Sequence, residues 1–372
     1  MRSKRAKGTL AVAIAALGLT SIISGDPASA DPKQYAAATG VGSDTTQDIM
    51  NALSGHANSN NFVPVQSSVA SGKRQLVSWD ALGTPCITPK APGATINRPN
   101  GSTNGRRALS RAIDGSNWGD ATCGAKPVSG LVQFARSSAG PSGTGTSLAY
   151  IPFGRDALGF AYYANGVATP VTTLTSAQLT SLFTTGPTTI SGVELVPCSI
   201  QTGSGTFQSW NTAIGVTAAQ MAAATATCGA EIQENDAAGL AARGQQPAFA
   251  GKQLVIGFSA ANFISQSNGV AASQLAPGVD LGSIDALGKP YAGTAPNTTP
   301  SATFYASTTY GRDVYNVLPS TIVDGLGNND LKTLFVGPTS AICAATATVS
   351  AFGFGTPVAA CGSTTLRGPL VA

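Results

Sequence analysis

The stretch SLAYIPFGRDALGFAYYANG, residues 147 to 166, constrains the fold more than any other. It is β-prone along its whole length, with one charged pair, Arg155-Asp156, in its middle. KQLVIGFSAANF, 252 to 263, reads as a second long apolar strand, and GRDVYNVLP, 311 to 319, as a third. Shorter strand-like segments alternate with helix-like ones elsewhere, a pattern that favours α/β over a β-sandwich. YAAATGVGS, 35 to 43, reads as a first strand ending in a glycine turn, and ELVPCSI, 194 to 200, as another. Asp44 to Leu53 reads as a helix with Thr45 and Asp48 as a capping box, and 101 to 115 as a helix burying Leu109 and Ile113 and stopping at Gly115. Thr175 to Phe183 and Met221 to Ala230 read as further helices. Two long strands far apart, 157–163 and 254–260, would carry the chain into a second lobe and back.

The first thirty residues read as a leader. Arg2, Lys4, Arg5 and Lys7 form a basic region, Thr9 to Ile23 an apolar core too short for a stable bilayer anchor, and Ala28-Ser29-Ala30 a small-residue cleavage site. Cleavage after Ala30 leaves 342 residues, enough for two lobes, with no cysteine at the new terminus for lipid attachment. The expected location is secreted or wall-associated, or periplasmic where there are two membranes. The leader holds four basic residues and Asp26, so the +4 charge of the whole chain falls to +1. A nearly neutral chain with 10% charged residues has no footprint for nucleic acid or an anionic membrane. The local basic cluster Arg106, Arg107, Arg111 reads as a solvated helix face.

Six cysteines in an exported chain, none in a CxxC spacing, argue for disulfides and not for a metal. Six allow fifteen pairings. The sequential one (Cys86–Cys123, Cys198–Cys228, Cys343–Cys361) is favoured because each bridge closes a loop inside one region.

Catalytic patterns are sparse. His56 is the only histidine and sits in a polar segment, SGHANSNN, that reads as an exposed loop. No G-x-S-x-G elbow, nucleotide-binding loop or H-E-x-x-H helix occurs, and Glu194, Glu231 and Glu234 are the only glutamates. No cofactor, metal or catalytic residue is expected. A recurring turn stands in their place. Gly42-Ser43-Asp44-Thr45, Gly101-Ser102-Thr103, Arg136-Ser137-Ser138 and Gly203-Ser204-Gly205-Thr206 each set hydroxyls and, in all but the third, glycine amides at a turn, and those three open a helix. In CSIQTGSGTFQSW, 198 to 210, the turn feeds a helix of Phe207, Trp210 and Ile214 that Gly215 closes. Singly such a turn is a helix cap. Several converging would surround an oxyanion with N–H and hydroxyl donors without bulk positive charge.

In their order along the chain, GVGSDTTQDI, NGSTNGRRAL, LVQFARSSAG, DALGFAYYAN, TGSGTFQSW and VIGFSAANF resemble segments of the substrate-binding proteins of phosphate ABC transporters, the PstS type. The resemblance spans most of the chain after residue 30. It implies a two-lobed α/β periplasmic-binding-protein fold of type II, with lobe 1 at 31–159 and 257–372 and lobe 2 at 160–256. It implies no enzyme, but a monomer that captures phosphate or a related oxyanion for an ABC transporter permease. Carried over by position, the ligand contacts are Asp44, Thr45, Ser102, Ser137, Ser138, Ser204, Gly205 and Thr206. Two departures stand out: the family's proton-accepting Asp falls on Ser138, and the Arg and Asp before its GSGT fall on Ile200 and Thr202. Arg136, Arg155 and Asp44 would compensate, although Arg155 reads equally as the partner of a buried carboxylate and Asp44 as a helix-start charge. The alternatives are a secreted phosphatase-like hydrolase using a serine nucleophile, and a surface protein that kept the fold without the phosphate site.

Overall fold

A computed structural model describes residues 31–32, 35–55, 62, 64–65, 76–326 and 330–372; the expected leader and His56 lie outside the described residues. The apolar runs become strands of one ten-stranded sheet. β1 (Ala38–Gly42), β2 (Leu76–Ser78) and β3 (Phe134–Ser137) are buried on both faces and pair in parallel, as strands covered by helices do. β4 (Leu148–Ala164) takes up nearly the whole of the 147–166 run. β5 (Thr188–Ile190), β6 (Val193–Pro197), β7 (Gln253–Ser259), β8 (Val279–Leu281), β9 (Gly311–Pro319) and β10 (Arg367–Gly368) complete the sheet. Its order is β5-β6-β7-β4-β9-β3-β1-β2, with β8 and β10 also on β4.

β4 belongs to both halves of the molecule. Its residues 148–157 pair with β9, and 158–164 with β7, both antiparallel. The apolar side chains divide accordingly. One cluster gathers Phe160, Phe183, Trp210, Phe258 and Phe304; two others gather Met50, Phe134, Phe153 and Phe352, and Val41, Leu109, Tyr150 and Val317. The result is the expected two-lobed α/β architecture. Phe304, Tyr305 and Tyr310, which lie beyond residue 257, pack in the Phe160 cluster.

Helices cover the sheet: α1 (Gln47–Leu53), α2 (Gly101–Asp114), α3 (Ser176–Thr185), α4 (Gly205–Ala213), α5 (Ala218–Thr225), α6 (Ala237–Gly244) and α7 (Ala260–Ser267). α3 starts on a capping box, Thr175 with Gln178. α4 starts on Ser204, whose hydroxyl accepts the N–H groups of Thr206 and Phe207. Trp210 packs its ring on β7 at Gly257, where a Cβ would lie 2.6 Å from the indole, so only glycine admits it. Burying that ring stabilises lobe 2 by about 2–3 kcal/mol.

Four local expectations change. The expected strand end SAANF is the start of α7, capped by Ser259. α1 has no capping box: Thr46 is its N-cap, without a side-chain bond, and Thr45 is used elsewhere. Ile113 is 38% exposed, because α2 turns it past the edge of the core. Arg106 is buried, since its guanidinium donates to the carbonyls of Ser102 and Gly140, Tyr150 Oη and Gln208 Oε1. The disulfides pair Cys86–Cys123, Cys198–Cys228 and Cys343–Cys361. Among the described residues no helix is long and apolar enough to cross a membrane.

Candidate functional site

Where β4 and β9 cross between the lobes, the tripeptide Gly-Arg-Asp occurs on both strands and the copies face each other in register, Arg155 against Asp313 and Arg312 against Asp156. The two ion pairs do different things. Arg155 donates to Asp313 at 3.0 Å and to the carbonyls of Tyr305 and Ser307, so all three of its nitrogens are engaged in holding the hinge. Arg312 is held by Asp156 at 2.8 Å and turns its remaining donors inward, to the Ser138 carbonyl at 3.0 Å and Thr206 Oγ1 at 2.9 Å. Asp156 is fixed in turn by the Ala261 N–H at 3.0 Å.

Around Arg312 the hydroxyls of four segments converge. Ser43 Oγ donates to Ser138 Oγ at 3.2 Å, Ser102 Oγ lies 3.3 Å from Ser138 Oγ, and the Ser138 N–H donates to Ser102 Oγ at 3.0 Å. Thr45 Oγ1 lies 3.0 Å from Thr206 Oγ1, and both Thr45 and Ser204 donate to Glu234 Oε2, at 3.1 and 2.7 Å. Each hydroxyl has one proton. Thr45 gives its own to Glu234, so Thr206 donates to Thr45 and accepts from Arg312, a chain running from guanidinium to carboxylate. Gly205 closes the two groups on each other: a Cβ there would lie 2.4 Å from Ser102 Oγ and 2.5 Å from Ser138 Oγ. Ser43, Thr45, Ser102, Ser138, Ser204, Thr206 and Glu234 are all buried. A cleft of about 360 Å³ reaches Ser138 and Arg312 from the side of Gly140, Ser209 and Tyr315.

The loop 233–235 ties this arrangement shut. The side chains of Gln233 and Asn100 exchange hydrogen bonds, Glu234 takes Thr45, and Asn235 donates to Asp44 Oδ2 at 3.0 Å. Burial, and then the charge of Glu234, push the Asp44 carboxyl well above the usual carboxylate range.

Of the residues singled out from the sequence, Thr45, Ser102, Ser138, Ser204, Gly205 and Thr206 therefore meet in one cluster, with Asp44 at its acidic margin. Three do not meet it. Arg136 spends its donors on the carbonyls of Gly42, Ser43 and Trp79 and on Ser78 Oγ, which fixes the β1–α1 turn; burial lowers its pKa to about 10. Ser137 forms a local turn with Ala139. Arg155 is the hinge residue described above. Sequence reading missed Arg312 and Glu234. The signal for Arg312 was the repeated Gly-Arg-Asp, and for Glu234 its rarity, one of three glutamates in the chain.

These features define a two-lobed α/β protein with a buried hydroxyl-and-guanidinium site at its hinge. No family model matches the chain, and no curated relative does. Solved structures to which the chain is similar include phosphate-binding receptors. One is an ABC-type phosphate transport receptor from Vibrio cholerae, at 15% identity over 86% of this chain and 100% of that one, TM-score 0.46. A phosphate-binding protein from Stenotrophomonas maltophilia matches at 12% over 88% and 92%, TM-score 0.45, and PstS from Borrelia burgdorferi at 13% over 78% and 90%, TM-score 0.35.

Proposed function

We propose that the chain is an exported solute-binding protein that closes two lobes on phosphate or a related oxyanion and presents it to an ABC-type membrane transporter. The observation that carries this reading is the convergence on Arg312 of buried hydroxyls from four segments, two of them at the starts of α2 and α4. Hydroxyls and a guanidinium gathered from both lobes and shielded from water suit an anion whose charge is spread over several oxygens. Closure of the lobes around it is the change a transporter would read.

The hydrolase alternative is disfavoured by Ser204. Its oxygen already accepts two backbone N–H groups and its proton goes to Glu234, so neither lone pair is left for attack.

The test is calorimetric titration of residues 31 to 372, stripped of ligand, with inorganic phosphate. Tight binding that falls by about tenfold or more in Arg312→Gln is expected, from loss of a charge-assisted bond of about 1.5–3 kcal/mol. Absence of heat with phosphate and sulfate alike would overturn the reading.

A further inference from the structure

The hydroxyl cluster around Arg312 is closed on two edges and open on a third. At the start of α2 the lobes touch backbone to backbone. The Thr103 N–H donates to the Gly203 carbonyl at 3.1 Å, and a Cβ at Gly101 would lie 2.4 Å from that oxygen. Loop 233–235 closes a second edge through Gln233 and Asn100. On the hinge side, by contrast, the cleft of about 360 Å³ runs from Ser138, wholly buried, to Val358, 76% exposed. That volume lies within the roughly 300–1,000 Å³ usual for small-molecule sites, and a lone tetrahedral ion would leave most of it unfilled. The cleft is also preformed. Asp313 accepts from the Arg155 guanidinium and from the N–H groups of Val358 and Ala359, at 3.0 and 3.1 Å. Gly355 exchanges two backbone hydrogen bonds of 2.8 Å with Arg155, so segment 355–359 is pinned to both β9 and β4. At Gly140, which lines the same cleft, an added Cβ would meet nothing within 4 Å. The charged lining is two guanidiniums, Arg155 and Arg312, against one carboxylate, Asp313. The other polar side chains are hydroxyls, those of Ser138, Ser209, Thr308 and Tyr315.

We propose that this site takes phosphate monoesters of small polyols, with the phosphoryl group held at Ser138 and Arg312 and the hydroxylated substituent lying in the hinge-side cleft. The inference rests on the oxyanion reading above and names the class of oxyanion. A monoester keeps three phosphoryl oxygens for the buried donors and directs the fourth, which carries the substituent, along the open edge. There the substituent meets hydroxyls at Ser209, Thr308 and Tyr315, which both donate and accept. It meets no charge that needs matching, because Arg155 and Asp313 already pair with each other at 3.0 Å. A neutral polyol therefore suits the cleft better than a charged or wholly apolar group. A phosphodiester is excluded, since its second substituent would run into the edges closed at Gly101 and Gln233.

The experiment is calorimetric titration of residues 31 to 372, stripped of ligand, with inorganic phosphate and with glycerol 3-phosphate. The wild type is expected to bind the ester as tightly as inorganic phosphate to within about threefold, or more tightly. Gly140→Phe puts a ring into the open space of the cleft. It is expected to weaken glycerol 3-phosphate by about tenfold or more and to leave inorganic phosphate within about threefold of wild type. Thr308→Phe, at the exposed rim, makes the same test from a second position, so the outcome does not hang on the folding of one variant. Two results would overturn the proposal and leave the oxyanion reading standing. One is wild-type binding of inorganic phosphate with the ester roughly a hundredfold weaker; the other is a change in both ligands alike, or in neither, on filling the cleft. No binding of either ligand by the wild type would remove both readings.

Discussion

Ser137 and Ser138 are neighbours of the same type at the end of β3, and a sequence treats them alike. The strand does not: alternation sends Ser138 to Ser43 and Ser102 and leaves Ser137 in its own turn with Ala139. Thr45 is a similar case. Its place ahead of a helix reads as a cap, but its hydroxyl crosses to Thr206 and Glu234. Asp48 illustrates the electrostatics of the same corner. Burial, and then the charge of Asp80, raise its carboxyl to about 6. A carboxyl raised in the folded state contributes stability below its unfolded pKa, near 3.8, and that contribution is lost as pH rises through about 6. Thermal unfolding followed at pH values either side of this window should show this part of the stability falling toward neutral pH. Asp48→Asn should flatten it, and an unchanged pH profile in the variant would contradict the assignment. Arg312 and Glu234 escaped sequence reading because they act on distant partners, Arg312 on Thr206 across 106 residues and Glu234 on Thr45 across 189, a relation that no local pattern encodes.

At the scale of elements, legibility follows how local the determinant is. β9 is readable to the residue, and β4 nearly so, because a long β-prone run fixes a buried strand even with a charged pair inside it. α7 reads as strand in the sequence because AANF continues the apolar run, and only the Ser259 hydroxyl, accepting from the Asn262 N–H, marks the change. Arg106 reads as solvent-exposed because nothing near it in sequence shows that Tyr150 and Gly140 accept from it. The disulfides were legible for the opposite reason, each closing a loop within one region. Cys198–Cys228 ties the end of β6 to the turn after α5, across a sequence separation of 30. Replacing both with serine should destabilise the chain by about 3–4 kcal/mol on the loop-entropy relation. Chemical denaturation would show this as a lower midpoint, and an unchanged midpoint would mean that the bridge adds nothing.

For the whole molecule, the sheet is continuous but the cores are not, and β4 and β9 are what the two halves share. The paired Gly-Arg-Asp tripeptides place a structural ion pair and a site-facing one side by side on those strands, so the hinge and the binding site are built from the same residues. Movement of one lobe on the other would separate Ser204, Thr206 and Glu234 from Ser43, Thr45, Ser102 and Ser138, and a bound oxyanion would hold them together. The claim that an oxyanion is held at this crossing is tested most directly by titrating phosphate calorimetrically into the wild type, Ser138→Ala and Ser137→Ala. Ser138→Ala should weaken binding by about tenfold or more, and Ser137→Ala should leave it within about threefold of wild type. Equal effects of the two substitutions, or no wild-type binding, would contradict the site.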